Sequence, residues 1–188
     1  MDNPMIIILV VAIVAALAII AAAWMFMQKK RTEQLQSRFG PEYQRLVETD
    51  GDRRHAEAVL LERQKRIQKL DIRPLSTEDQ RRFGEAWIRE QARFVDDPKG
   101  AVAEADRLIG EAMRARGYPV GDFDQRAADI SVDHPMVVEN YRIAHDIALL
   151  DRRNEAGTED LRKAMVHYRS LFEDLLENRV AVAREGRR

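Results

Sequence analysis

An uninterrupted apolar run near the N-terminus constrains this chain more than any other feature. From Met5 to Met27, every residue is Met, Ile, Leu, Val, Ala, Trp or Phe. About 20 such residues, in a helix that rises about 1.5 Å per residue, cross the roughly 30 Å hydrocarbon core of a bilayer. The run therefore predicts a transmembrane helix over residues 5–27, with the lipid bilayer as its partner.

The residues that end the run fit a membrane interface. Trp24 lies where an aromatic ring prefers the boundary between lipid and water, and Lys29, Lys30 and Arg31 follow as a stop-transfer signal. These four residues are the candidate membrane-interface site. The three basic residues are also placed to attract anionic lipid headgroups.

A cleaved signal peptide is the alternative interpretation of the same run, with Ala21-Ala22-Ala23 as its cleavage site. Such a peptide has a basic n-region and a shorter apolar stretch. The first four residues, Met1 to Pro4, contain no basic side chain, and the apolar run is too long. The sequence therefore favours a membrane anchor that is retained.

The charges around the run predict its orientation. All 31 Lys and Arg residues lie after Gln28, whereas the tail of residues 1–4 carries only Asp2. The positive-inside rule places the basic flank in the cytoplasm and the N-terminus outside. The chain then divides into an external tail (residues 1–4), the transmembrane helix (5–27), a juxtamembrane basic segment (28–40), a cytoplasmic soluble domain (41–178) and a basic C-terminal tail (179–188).

Composition excludes several function classes. Beyond the anchor, 31 basic residues face 31 acidic ones, because only Asp2 of the 32 acids precedes it, and this balance disfavours nucleic-acid binding. The absence of cysteine excludes disulfides, thiolate zinc sites and cysteine nucleophiles. The sequence also lacks a phosphate-binding P-loop, a dinucleotide fingerprint and a Gly-x-Ser-x-Gly elbow, so no cofactor is expected.

The soluble part has the pattern of an all-α domain. Apolar residues recur at three- and four-residue spacing in five long stretches, and no stretch shows the sustained alternation of a strand. Two short helices are also expected, at Glu42 to Glu48 and near Phe123 to Ile130. The predicted fold is therefore an N-terminal transmembrane helix followed by a soluble bundle of about five main helices.

Capping residues and apolar spacing predict where these helices begin, end and face the core. In the first long helix the apolar stripe includes one cation, Arg63. The next helix is expected to turn Phe83, Trp87, Ile88, Gln91 and Phe94 or Val95 inward. The predicted boundaries are a break at Gly40-Pro41, a turn at Asp50-Gly51-Asp52, an end at Arg73-Pro74, caps at Ser76 with Asp79 and at Asp97-Pro98, an end at Gly117 with Pro119, and a cap at Thr158.

Carboxylates and a histidine cluster between Asp122 and His134, within the stretch from Gly117 to Pro135 that is expected to be irregular apart from the short helix near Phe123 to Ile130. Asp124, Asp133 and His134, together with His145 on the following helix, are candidate ligands for a divalent ion. Their spacing matches neither the calcium-loop pattern nor the His-Glu-x-x-His helix. The alternative is that the acids cap helices in solvent and that His134 precedes Pro135 at a turn.

Short motifs are spread over the soluble part: Ile72-Arg73-Pro74-Leu75, Arg82-Phe83, Trp87, Gln91, Phe94-Val95-Asp96, Pro98, Ala105-Asp106, Arg116-Gly117-Tyr118-Pro119, Ser131-Val132-Asp133-His134-Pro135, Tyr141-Arg142 and Thr158-Glu159-Asp160-Leu161-Arg162. Together they resemble an uncharacterised bacterial family of small single-pass membrane proteins. The resemblance covers roughly residues 38–176 and implies a bacterial, membrane-anchored protein. It supplies no catalytic residue, and the description of some members as secreted keeps the opposite orientation open.

These features favour a membrane-tethered interaction or scaffold module on the cytoplasmic face of the bacterial inner membrane, with an unidentified protein partner. No catalytic residue is predicted, and enzymatic activity is not expected. One alternative is a metal-dependent or hydrolytic enzyme that uses the Asp122–His134 segment. Another is an exported envelope domain that remains anchored to the membrane.

Overall fold

Helices are the only regular elements in the part of the chain that the computed structural model describes, which is the backbone of residues 4–177 and the side chains of residues 12–177. The all-α prediction is confirmed for these residues. Contacts divide the chain into two compact units, and the boundary between them along the chain lies between residues 38 and 39. The helices are α1 (Pro4–Phe39), α2 (Pro41–Asp50), α3 (Arg53–Gln68), α4 (Thr77–Arg93), α5 (Pro98–Ala115), α6 (Phe123–Asp133), α7 (Val138–Arg152) and α8 (Thr158–Leu176).

The first unit is built on α1, a continuous helix of 36 residues. Its large apolar side chains between Ile13 and Met27 are 52% to 69% exposed. The stretch Ala12–Phe39 contains a window of mean hydropathy 1.8 with no buried residue, and by length and composition it is the one helix in the described range that could cross a membrane. As predicted, the helix continues past the basic residues and ends before Pro41.

The second unit is a bundle of helices α2 to α8. Helix α8 packs against α7 and α5, and α5 also packs against α4. A second group consists of α3 with α2 on one side and α6 on the other, and contacts of α6 and α2 with α7 join the two groups. The five long helices of this unit correspond to the five predicted ones, and the two short predicted helices are α2 and α6.

Helices α5 and α8 contribute more buried apolar residues than any other described helix, as their apolar spacing predicts. In α5, Val102, Ala105, Leu108, Ile109, Ala112 and Met113 are all buried, and in α8 Leu161, Ala164, Met165, Tyr168, Leu171, Phe172 and Leu175 are buried. The ring of Trp87 on α4 stacks on Phe172, with ring centroids 4.5 Å apart and planes inclined by 17°. This stack fixes α4 to the centre of the bundle.

Side-chain caps begin several helices, as predicted. Ser76 accepts a hydrogen bond of 3.0 Å from the Asp79 N–H, and the carboxylate of Asp97 accepts one of 2.9 Å from the Gly100 N–H. The prediction that Thr158 caps α8 is wrong. Gly157 occupies that position, and its N–H donates to the Asp160 carboxylate at 3.2 Å.

The end of α3 also differs from the prediction, because the helix stops at Gln68 rather than at Arg73-Pro74. The segment after α3 is held by a tertiary hydrogen bond rather than by helical ones. In this bond the Arg73 N–H donates to the Arg116 carbonyl at 2.9 Å. Gly117 makes this approach possible. Its φ is +95°, and a Cβ there would lie 2.3 Å from the Asp71 carbonyl oxygen, so another residue would displace the segment.

The predicted inner face of α4 is too wide. Phe83 and Trp87 are buried, but Ile88 is 65% exposed and Val95 is 82% exposed, and Gln91 is exposed as well. The reason is that α4 lies at the edge of the bundle and packs chiefly on α5. A helix with one main neighbour buries a narrow stripe rather than half its circumference.

Replacement of Trp87 tests the stack between α4 and α8. We expect Trp87→Ala to lower the free energy of unfolding by about 3–5 kcal/mol, because it removes a buried ring and leaves a cavity beside Phe172. Trp87→Phe keeps a stacked ring and should cost less. Ile88→Ala is the matched control on the same helix, with a change within about 0.5 kcal/mol. Urea denaturation followed by circular dichroism measures all three, and equal losses for Trp87→Ala and Ile88→Ala would contradict the buried stack.

Candidate functional site

The acidic segment is largely helix α6, which contains the short helix predicted near Phe123 to Ile130 and extends to Asp133. Asp122 is the N-cap, and its carboxylate accepts from the Gln125 N–H at 2.8 Å. His134 is the C-cap, and its N–H donates to the Ile130 carbonyl at 2.8 Å. The helix forms because it buries Ala127 and Ile130 on one side while its acids serve as a cap and as ion-pair partners.

Asp133 and His134, two of the candidate metal ligands, have separate protein partners. The Asp133 carboxylate accepts from the Tyr118 hydroxyl at 2.8 Å. The imidazole of His134 is buried rather than turned to solvent, and its Nδ1 pairs with the Asp174 carboxylate on α8. The edge of the Tyr118 ring faces the imidazole. His134 therefore ties the end of α6 to α8.

Asp124 and His145, the other two candidates, lie elsewhere. Asp124 is exposed in the first turn of α6, and the His145 ring stacks on Phe123 with ring centroids 3.5 Å apart. Burial lowers the pKa of His145; Asp106 opposes this shift, and Arg152 and Arg126 reinforce it. Among the described residues, no three His, Asp or Glu side chains are grouped closely enough to hold a metal ion.

The candidate membrane-interface residues all lie on α1. Trp24 is 53% exposed and lies near the end of the apolar stretch. Lys29, Lys30 and Arg31 are exposed in the turn that follows, and the Lys29 ammonium lies 4.0 Å from the Glu33 carboxylate. The helix thus changes from an apolar to a charged surface within a single turn.

A buried carboxylate that sequence reasoning missed organises one end of the bundle. Glu42, in the first turn of α2, has a fully buried side chain. Arg45 binds it bidentately with two contacts of 2.9 Å, Arg63 of α3 donates to it at 2.7 Å, and Arg142 of α7 donates at 2.9 Å. Arg63 also reaches Ser131 of α6 at 3.4 Å. One carboxylate therefore connects α2, α3 and α7, and Arg63 extends the network to α6.

The electrostatics of this cluster follow from one negative charge among three cations. Burial raises the pKa of Glu42, but the guanidinium groups of Arg45, Arg142 and Arg63 outweigh burial, so the net pKa is below its ordinary value. Burial lowers the pKa of Arg142, an effect that Glu42 opposes and that the like charges of Arg45 and Arg63 reinforce. The cluster holds an ionised carboxylate and an excess of positive charge.

Beside this cluster, α3 and α6 border a groove of about 580 Å³ that is open to solvent. Three of its lining residues are basic, namely Arg63, Arg66 and Lys69, and one is acidic, Glu62. Glu62 pairs with Lys65 at 2.8 Å. The volume lies in the range of small-molecule sites in proteins.

A second buried carboxylate, that of Asp129, binds two side chains that line the groove. One of its oxygens, Oδ1, accepts from Arg66 Nε at 3.0 Å and from Gln125 Nε2 at 2.9 Å. Burial raises the pKa of Asp129 despite the opposing charge of Arg66 and the hydrogen bond from Gln125. Asp129 therefore fixes the orientation of two side chains that line the groove.

A further polar cluster, around Asp106, lies among α5, α6, α7 and α8. Its carboxylate accepts from the Tyr141 hydroxyl at 3.3 Å and lies 3.6 Å from the Arg126 guanidinium. Burial, followed by the charge of Asp106, raises the pKa of both Tyr141 and the neighbouring Tyr168, so both phenols stay protonated. These groups contact one another and hold four helices together.

Comparison with known proteins gives no relative from which a role could be transferred, since no family model, no curated protein and no solved structure matches the chain.

Replacement of the buried carboxylate tests the cluster around Glu42. We expect Glu42→Gln to lower the free energy of unfolding by about 3–5 kcal/mol at neutral pH, because three guanidinium groups would lose their shared anion. The lowered pKa means that the ionised carboxylate stabilises the fold fully above the ordinary pKa of 4.5, and that this contribution is lost as the pH falls through the lower folded value. The difference between wild type and variant should therefore shrink in acid.

Glu48→Gln, at an exposed position of the same helix, is the control for Glu42→Gln and should have little effect at any pH. Urea denaturation at a series of pH values between about 3 and 7 measures both variants. An equal and constant loss for the two would show that the buried cluster does not stabilise the fold.

Two His–Asp pairs among the described residues, His55–Asp50 and His134–Asp174, offer a matched test of burial. We expect His134→Ala to cost about 1–3 kcal/mol, because it removes a buried partner of Asp174 and its packing against Tyr118. His55 is exposed and its Nδ1 lies 2.7 Å from Asp50, so His55→Ala should change stability by less than about 0.5 kcal/mol. Thermal unfolding with and without added zinc measures both, and a zinc-dependent stabilisation that disappears in His134→Ala would instead assign His134 to a metal site.

Proposed function

We propose that this chain is a single-pass protein of the bacterial inner membrane, with its N-terminus outside. Residues 5–27 of α1 span the bilayer, and the helical domain that follows works in the cytoplasm as a tethered interaction or scaffold module. The proposal combines the apolar helix, its asymmetric charge and the polar interior of the second unit.

The surface of α1 carries this proposal. Successive residues of a helix are about 100° apart, so the exposed apolar side chains between Ile13 and Met27 cover every side of it. Leaving that surface in water is unfavourable by about 25 cal/mol for each Å² of apolar area. A bilayer covers all sides at once, and a helix satisfies its own backbone hydrogen bonds there.

The charged continuation of α1 supports the orientation. Residues 28–39 add about 18 Å of helix beyond the apolar stretch at about 1.5 Å per residue. Lys29, Lys30 and Arg31 open this segment, and no basic residue precedes the apolar run. Basic residues next to a span favour the cytoplasmic side.

The interior of the helical domain supports interaction rather than chemistry. Two of its carboxylates, the buried Glu42 and the half-buried Asp106, contact arginines and a tyrosine of the bundle, and these contacts join helices. A domain held at the membrane can work by raising the local concentration of a bound partner, without any reaction. Mixed charge on its surface suits protein contacts.

Single cysteines test the orientation without background, because the chain has none of its own. Glu155→Cys places a thiol in the exposed loop between α7 and α8, and Asn3→Cys places one before the span. In spheroplasts, a membrane-impermeant maleimide should label Asn3→Cys and should label Glu155→Cys only after the membrane is permeabilised. The reverse pattern would contradict a cytoplasmic domain and would support the anchored envelope domain.

A comparison of two forms tests the tethering function. Cross-linking in intact cells with the full chain should capture a protein in the membrane fraction. The form without residues 5–27 should capture the same protein in the soluble fraction, because the helical domain carries the contact and the anchor only places it. If neither form captures a protein, or if the shortened form stays in the membrane fraction, the proposal fails.

A further inference from the structure

The groove between α3 and α6 is lined by more cations than acids and lies beside a basic stretch of the chain. Over the segment from Arg53 to Arg73, seven residues are basic and three are acidic. Lys69 lines the groove and makes no ion pair within the described part of the chain. Arg66 is 45% exposed and binds Asp129 through its Nε, so the terminal nitrogens of its guanidinium are left for another acceptor.

The adjoining Glu42 cluster adds to the positive charge. Arg63 lines the groove and donates to Glu42, but Glu42 divides its one negative charge between Arg63, Arg45 and Arg142. The single negative charge of Glu42 therefore balances only part of the positive charge of the three arginines. An anion in the groove would lie near this excess positive charge. The dielectric constant is lower beside the protein than in water, so the electrostatic attraction is stronger there.

The groove is shaped by fixed side chains rather than by a chance accumulation of surface lysines. The buried Asp129 binds both Arg66 and Gln125, so a guanidinium and an amide donor are oriented before any ligand arrives. Preorientation of this kind removes part of the entropy cost of binding. Val59 and Ala128 add aliphatic surface beside these donors.

From this arrangement we infer that the groove between α3 and α6 binds a phosphate monoester that carries a small apolar group. Arginine and lysine donors suit phosphate oxygens, and a monoester carries close to two negative charges at neutral pH. Arg63 and Arg66 already share the charges of Glu42 and Asp129, so Lys69, the terminal nitrogens of Arg66 and the excess charge of the Glu42 cluster are what favour a phosphate dianion over a single carboxylate. The aliphatic surface takes the organic part, and the volume of about 580 Å³ leaves room for it.

This site is separate from the tethering function, which can hold whether or not the groove binds phosphate. Its ligand has two sources that share the same chemistry, a soluble phosphorylated molecule and the headgroup of phosphatidic acid. The test therefore uses the full chain in lipid nanodiscs, in which both sources can be offered. Phenyl phosphate is the soluble probe, and phenyl sulfate is the control with a single negative charge.

In nanodiscs of phosphatidylcholine alone, calorimetric titration should show that phenyl phosphate binds and that phenyl sulfate binds more weakly. Arg66→Gln and Lys69→Gln should each weaken binding of phenyl phosphate about tenfold or more, because each removes a charged hydrogen-bond donor. Arg54→Gln removes the same charge from the exposed first turn of the same helix, where Arg54 neither lines the groove nor pairs with a residue that lines it. It should weaken binding less than about twofold.

Lys69→Gln keeps the test valid if Arg66→Gln fails to fold, since Lys69 is exposed and holds no ion pair in the described chain.

Nanodiscs that contain phosphatidic acid separate the two sources of the ligand. A lower apparent affinity for phenyl phosphate there assigns the groove to the headgroup, and an unchanged affinity assigns it to a soluble ligand. Absence of phenyl phosphate binding, or an equal loss in Arg54→Gln and Lys69→Gln, overturns the inference.

Discussion

The arrangement of the helical domain depends on one buried negative charge, the carboxylate of Glu42. A carboxylate removed from water destabilises a fold strongly unless cations and hydrogen-bond donors compensate for the lost hydration. Here the compensation comes from three arginines on three helices, at contacts of 2.7 to 2.9 Å. A packing of α2, α3 and α7 that lacked any of these arginines would leave the carboxylate poorly compensated, so the charge selects one arrangement of the helices.

The need to compensate the buried charge of Glu42 also links the Glu42 cluster to the groove. Arg63 serves the Glu42 cluster on one side and lines the groove on the other, and it also reaches Ser131 of α6. Helix α6 in turn brings Asp129, which orients Arg66 and Gln125. A change at Glu42 is therefore expected to affect the stability of the bundle and the charge of the groove together, whereas a change at Lys69 affects the groove alone.

Local patterns predict most of the helices but not the polar interior. The spacing of apolar residues identifies the inner faces of α5 and α8 because those faces contact two or more helices and bury a complete stripe. The same reasoning places Ile88 and Gln91 wrongly, because α4 packs chiefly on one neighbour, α5, and the residues of α4 do not reveal this. The end of α3 is misplaced for a similar reason, the contact of Arg73 with Arg116.

The sequence gives one local signal of the buried cluster, which is the cation Arg63 within the apolar stripe of α3. A guanidinium at such a position requires a partner, but Glu42 lies 21 residues earlier and Arg142 is 100 residues away from Glu42. Short-range spacing cannot connect residues so far apart. His134 shows the same limit, because its burial depends on Asp174, 40 residues later.

Overall neutrality also conceals how charge is distributed in three dimensions. Formal charge balance after Met27 is the basis for expecting no broad nucleic-acid binding, which needs a basic excess over a large surface. It says little about a surface of a few side chains.

The segment from Asp122 to Asp133 has four acids and one base, and it packs through α6 against the basic α3. Opposite charges hold these helices together at Asp129 and Arg66, and the cations Arg63, Arg66 and Lys69 line the groove. A neutral domain can thus present a local site for an anion, because ion pairs between its helices use the acids and leave Lys69 and the ends of Arg66 to a ligand.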